Sequence, residues 1–159
     1  MNLSRNATLA EVGEFPLIAA ITDGLALASD VRVGPGDDAA VLSIEDAVAA
    51  SVDVLVEGVH FRRAWSEAHD VGRKAVAVNV ADLEAIGARA TGLLVGLSAP
   101  GDLALGWVLD FAQGLSREGQ AARVGLLGGD VTKARHITSP PCGARASASI
   151  LAPSAWVRP

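Results

Sequence analysis

From residue 48 to residue 127, short apolar runs alternate with longer helical stripes, and this rhythm limits the folds open to the chain. Val48–Val56 reads as a strand, and residues 67–86 follow as a helix with Val71, Ala75, Val78, Asp82 and Ile86 on one stripe. Residues 91–98 are a further strand. Asp102 is placed to cap a helix carrying Leu103, Trp107, Phe111 and Leu115 and stopping at Gly119. Residues 122–127 form the next strand and end in Gly128-Gly129-Asp130. Upstream, residues 1–13 read as a loose arm. Pro16 opens a helix with Leu17, Ile18, Ile21, Leu25 and Ala28, Gly34-Pro35-Gly36 turns, and residues 39–44 form a strand. The order predicts an α+β fold, a mixed sheet with helices on one face.

Composition removes several classes. With aromatics at 4%, Val, Leu, Ile and Ala must fill the core. A net charge of -5 and no basic stripe before residue 133 argue against a nucleic-acid partner. A single cysteine, Cys142, allows no internal disulfide. The longest uncharged stretch, Ala90 to Gly101, falls short of the about 20 residues that span a bilayer, so no membrane partner is expected. The first residues carry no apolar run of signal-peptide length, and a soluble cytoplasmic protein is expected.

Carboxylates recur at four separated places, each with two readings. Asp37-Asp38 after Gly36 is either a solvated turn or a charged strand entrance. Asp53 interrupts an apolar strand; it either faces water opposite Val52, Val54 and Val56 or needs a partner or metal. Asp82 sits on the helical stripe with Asn79 beside it, as a structural contact or a ligand. Gly128-Gly129-Asp130 is a plain turn, or a place where backbone approaches a phosphate while a carboxylate holds its metal. Hard oxygen donors with no sulfur or histidine cluster favour Mg²⁺ shared with substrate phosphates. Phosphoryl transfer rests mainly on positioning and charge neutralisation, which such a set can supply. Neither a Walker-type loop nor a protein-kinase signature is present. Trp65 and Trp107 read as packing residues. His60, after Glu57-Gly58-Val59, is either a strand-end residue or a substrate contact.

These words resemble one family. Gly13-Glu14-Phe15, Gly36-Asp37-Asp38-Ala39-Ala40-Val41, Asp53 through Phe61, Lys74 through Leu83, Gly87-Ala88 and Gly128 through Thr132 are similar to bacterial thiamine-monophosphate kinases. These belong to the superfamily that includes aminoimidazole ribonucleotide synthetase. The resemblance implies the N-terminal domain of that fold, covering residues 1–133 as an ATP- and Mg²⁺-binding kinase domain. It implies transfer of the γ-phosphate of ATP to thiamine monophosphate, giving thiamine diphosphate. Carried over, Asp38, Ser51, Asp53, Asp82 and Asp130 would hold Mg²⁺. Gly129 and Asp130 would lie at the ATP phosphates, and His60 would contact the substrate. A homodimer closing a barrel between sheets is also implied. Val52 stands where the family usually has Thr.

After Asp130 the pattern breaks. Residues 131–159 contain no Asp or Glu and four of the seven prolines, including Pro140-Pro141. Residues 134–159 are therefore expected to be a poorly structured tail, with a neighbouring strand left unpaired and the family's C-terminal domain absent. Two other functions stay open: a non-catalytic dimerisation or nucleotide-binding remnant, and a related ATP-activating synthetase acting on another substrate.

Overall fold

The structure is a computed structural model that describes residues 3–23, 31–36, 39–43, 48–133 and 145–153. The elements run α1 (Leu9–Val12), α2 (Glu14–Thr22), β1 (Val31–Val33), β2 (Val41–Leu42), β3 (Val48–Val56), α3 (Ala68–Ala85), β4 (Gly92–Ala99), α4 (Leu105–Ala122), β5 (Gly125–Lys133) and β6 (Arg145–Pro153). β1 and β2 pair as an antiparallel ribbon, and the other strands form one sheet in the order β3-β6-β4-β5. β6 runs antiparallel to both neighbours, while β4 and β5 are parallel. The mixed sheet with its helices is the expected α+β fold.

β3 matches the expected strand, and its alternation separates two faces. Ala49, Ser51, Asp53 and Leu55 are more covered, whereas Val48, Ala50, Val52 and Val54 are exposed. The valines thus take the open side, and Asp53 takes the side that α3 packs against. α3 and α4 lie against each other at Gly72 and Gly114. A Cβ on either glycine would run into the other helix's backbone, at the carbonyl of Phe111 or of His69. Bare glycines at the crossing let the helices approach closely. Val71, Ala75, Val76, Leu83, Leu105, Val108 and Phe111 close the core around that contact.

Several expectations are corrected. The N-terminal arm is tied down. Thr8 and Glu11 make a reciprocal capping box, and Leu9 is buried. The arm also caps α4. The amides of Leu105 and Gly106 donate to the carbonyls of Ala7 and Arg5 at 2.8 Å each, and Arg5 pairs with Asp110 at 2.7 Å. Those carbonyls satisfy donors that a helix start leaves open. Asp102 is therefore not the cap: Ala104 occupies that position, without a side-chain bond. Gly119 does not stop α4, which continues to Ala122 and closes with Arg123 in the left-handed region at φ 60.

The end of the chain departs furthest from expectation. Residues 145–153 form β6 between β3 and β4, with nine partners on β3 and seven on β4. The part of the tail that is described is a central strand, and β3 and β4 keep a partner between them. The pair Pro140-Pro141 lies outside the described residues, as do Leu25 and Ala28 of the first expected helix. β1 was not anticipated. Trp107 packs as expected, stacked between Phe61 and Phe111 at 6.4 and 5.6 Å. Trp65 does not: it is 76% exposed, with the Arg62 guanidinium 4.3 Å over its ring.

Candidate functional site

The seam between β3 and α3 gathers three of the residues singled out by sequence. Ser51 Oγ donates to Asp82 Oδ2 at 3.2 Å. Asp53 lies two residues further along the same strand face, and its Oδ1 accepts from the Val54 amide at 2.9 Å. Its own amide donates at 3.0 Å to Asn79 Oδ1, one turn before Asp82 on α3. Asn79 is fully buried, and its Nδ2 donates to the Ala75 carbonyl at 2.9 Å.

This geometry corrects the helical stripe. The buried face of α3 carries Val71, Ala75, Asn79 and Leu83, not Val78, Asp82 and Ile86. Asp82 is exposed, and Ile86 is 66% exposed. The buried polar residue is Asn79, one an apolar core can hold because both its amide atoms are bonded. The carboxylate sits at the solvent edge. The signal for Asn79 was its place in a run spaced by four: 71, 75, 79, 83.

His60 sits in a turn leaving β3. Its amide donates to the Val56 carbonyl at 2.8 Å, and its Nδ1 accepts from the Val56 amide at 3.0 Å. Nδ1 therefore carries a lone pair in this arrangement, and Nε2 carries the proton. Gly58, at φ +85, supplies the turn's left-handed residue, and its amide donates to the Phe61 carbonyl at 2.8 Å. Phe61 is buried beside Trp107 and anchors the turn. Lys74 on α3 donates to the His60 carbonyl at 2.8 Å, and Arg63 pairs with Glu57 at 2.7 Å. Sequence reasoning missed the tie from Lys74, which fixes the turn to the same helix as Asp82.

Gly129 and Asp130 are not in a turn. They lie within β5, after an irregularity at which Leu93 faces Leu126 and Leu94 faces Gly128. A Cβ on Gly129 would strike the Val95 carbonyl of the neighbouring strand, so the glycine is required by sheet packing whatever else it does. Asp53 shares a row with Ala148, Val95 and Gly129, and Asp130 falls in the next row with Ser147 and Gly96. β6 and β4 separate β3 from β5, about 14 Å at roughly 4.8 Å per strand spacing. Asp130 is thus apart from the Ser51–Asp53–Asp82 group. It lies beside an apolar cleft lined by Ile18, Ile21, Val95, Phe111 and Val131. Asp38 lies outside the described residues. Among the described residues, no three histidine, cysteine or carboxylate side chains converge.

A family model described as AIR synthase related protein, N-terminal domain, matches residues 36–144. The chain belongs to this family. It is also 41% identical over 133 residues to thiamine-monophosphate kinase of Mycobacterium tuberculosis (strain ATCC 25618 / H37Rv), a match covering 83% of this chain and 40% of the relative. Among solved structures, it resembles thiamine-monophosphate kinase from Stenotrophomonas maltophilia K279a, with TM-score 0.66 and 29% identity over 86% of this chain and 39% of that one. A structure described as AaThiL complexed with AMPPCP and TMP aligns with TM-score 0.60 and 27% identity, over 94% of this chain and 44% of that one. The chain spans about 40% of the length of the curated relative, so the match concerns one part of such a kinase.

Two carboxylates and a hydroxyl on one seam fit a small hard cation. Mg²⁺ commonly takes one or two protein carboxylates and completes its shell with water and phosphate oxygens. Among the described helices, none is long and apolar enough to cross a membrane.

Proposed function

We propose that this chain forms the metal- and phosphate-handling part of an ATP-dependent thiamine-monophosphate kinase. Such a kinase joins a phosphate oxygen of thiamine monophosphate to the γ-phosphorus of ATP. The bond from that phosphorus to the β,γ-bridging oxygen breaks, leaving thiamine diphosphate and ADP. The observation that carries the reading is the seam itself, with Ser51 Oγ 3.2 Å from Asp82 and Asp53 tied to the same helix through Asn79. The kinases it resembles add the substrate class.

In this reading Asp53 and Asp82, with Ser51, hold one Mg²⁺, Asp130, apart from that seam, holds metal at the ATP phosphates, and Asp38 is a further metal ligand. When bound, the cation neutralises charge on the phosphates being transferred. Gly129 and Asp130 stand at the phosphates of ATP. His60 Nε2–H is a donor suited to a phosphate of the acceptor, on a turn braced by Phe61 and Lys74. Residues 1–133 are the core of the ATP- and Mg²⁺-binding unit, and β6 completes its sheet. The exposed row of Val48, Val52 and Val54 on β3 supports a homodimer that covers this side. Val52, where the family usually has Thr, is 62% exposed and belongs to that row. A cytoplasmic setting goes with this biosynthetic role.

Calorimetry with AMPPCP and thiamine monophosphate tests the reading. Nucleotide binding should require Mg²⁺ and weaken at least tenfold in Asp53→Asn, and His60→Ala should weaken thiamine monophosphate alone. Nucleotide affinity that is the same in EDTA as in Mg²⁺ would overturn it.

A further inference from the structure

The single buried amide side chain on α3 joins the two elements that carry the carboxylates. Asn79 is 0% exposed, in a helix face otherwise made of Val71, Ala75, Val76 and Leu83. An asparagine there is costly unless both ends of its amide are satisfied, and both are. Nδ2 donates back to the Ala75 carbonyl, which fixes the rotamer on its own helix. Oδ1 then accepts from the Asp53 amide, so the fixed side chain grips the strand at one residue. That residue is a carboxylate of the proposed metal site, and the next carboxylate, Asp82, lies three residues along α3, on the adjoining face.

Apolar packing alone fixes this spacing less well. Leu55 is buried on the same strand face, but Ala49 and Ser51 are small and give α3 little to key against. A strand sliding along a helix over small side chains meets only weak resistance. A hydrogen bond between named atoms specifies one register. Because the bond uses the Asp53 backbone, it leaves the Asp53 carboxylate unengaged by Asn79.

We propose that Asn79 is a positioning residue for the metal site: it sets the spacing and register of Asp53 on β3 against Asp82 on α3, and thereby the affinity for a divalent cation. This rests on the reading of Ser51, Asp53 and Asp82 as ligands, and the experiment separates the two ideas. Mn²⁺ alone, with no nucleotide, is titrated into the 159-residue chain and followed by its electron paramagnetic resonance signal, with a thermal melt on each protein. Three variants are compared: Asp53→Asn, Asn79→Leu and Asn79→Asp. Asn79→Leu keeps the branching at Cγ, with bulkier methyl ends, and removes both hydrogen bonds. Asn79→Asp keeps the acceptor for the Asp53 amide, loses the donor to Ala75 and adds a negative charge beside the site. A positioning role predicts at least a tenfold loss of Mn²⁺ affinity in Asn79→Leu. It predicts affinity within threefold of the parent, or tighter, in Asn79→Asp, although that variant melts lower because it buries a charge.

Melting temperature and metal affinity should therefore part company in Asn79→Asp, which a merely structural role would not produce. Affinity falling in step with melting temperature across both Asn79 variants overturns the proposal. So does unchanged affinity in Asn79→Leu while Asp53→Asn loses binding, and then the metal site stands without it. A parent protein that binds no Mn²⁺ overturns the ligand reading and this inference with it. If Asn79→Leu does not fold, Asn79→Asp decides by itself: lost binding in a folded protein refutes the role, and retained binding at a lower melting temperature supports it.

Discussion

Replacing Gly72 by alanine should destabilise the protein, although alanine is the better helix former. In the interior of a helix the exchange favours folding by about 1 kcal/mol through propensity alone. At this position the new Cβ would lie 2.9 Å from the Leu115 amide nitrogen and 3.0 Å from the Phe111 carbonyl carbon, and closer still to the Phe111 oxygen. All three are backbone atoms of α4, so no rotamer change can make room, and the helices must move apart. Overpacking of this kind costs about 1–3 kcal/mol, and backbone partners place it at the upper end. The net loss is then about 2 kcal/mol, which lowers the melting temperature by about 4–8 °C in a chain of this size. Calorimetric or circular-dichroism melts measure it, with Gly101→Ala as reference. There the Cβ would meet only the Ala10 side chain at 3.5 Å, and the change should stay within about 0.5 kcal/mol. A Gly72→Ala protein that melts as high as the parent would show that α3 and α4 do not cross on these glycines.

Asp53→Asn and Asp82→Asn should each weaken Mg²⁺-nucleotide binding at least tenfold in calorimetry, and unchanged binding in both removes the metal-cluster reading. Val52→Lys, on the open face of β3, should shift sedimentation toward monomer with little change in circular dichroism; a parent protein that is already monomeric at micromolar concentration would refute the homodimer. Glu11 is held below the ordinary carboxylate value by hydrogen bonds from the Thr8 amide and then the Thr8 hydroxyl. A lowered folded value means its contribution is present above the unfolded value and is lost as pH falls through the folded one. Glu11→Gln should therefore flatten the acid limb of a stability–pH curve, and an unaltered limb would show that the capping box is not formed in solution. ATP consumption with thiamine monophosphate should be low for this chain and should rise when it is joined to the remaining part of a related kinase; equal turnover would show that the chain suffices.

What the sequence made legible followed from how local the determining physics is. β3 and α3 were readable because each carries its own periodic pattern across many residues. β6 was not. Arg145 to Pro153 is built largely of small residues with weak strand preference, and its identity comes from β3 and β4, which each present a ladder to be filled. A strand recruited by its neighbours leaves little mark on its own residues. The arm before α1 is similar. Its order comes from α4, whose first amides need the Ala7 and Arg5 carbonyls, a pairing roughly a hundred residues apart in sequence. Gly129 was legible as a glycine that something approaches closely, but among the described atoms that neighbour is the Val95 carbonyl.

The stripe on α3 shows why site residues are harder to place than helices. A period of 3.6 residues is matched by steps of three or four, so 71, 75, 78, 82 and 71, 75, 79, 83 are both acceptable helical faces. The two differ by one residue of rotation, and hydrophobicity scarcely separates them, because Val78 balances Leu83 and each path contains one polar residue. The choice is made by demands from outside the helix. Gly72 and Val76 must meet α4, and whichever polar residue turns inward must find both a donor and an acceptor there. Asn79 can do so with one amide, bonding Ala75 and Asp53 at once. Asp82 would bring a charge with no donor to spare for a helix carbonyl, at a cost of several kcal/mol if left unpaired. Burying the amide and leaving the carboxylate at the rim is the lower-energy rotation, and it is also the one that leaves Asp82 open to solvent beside Ser51.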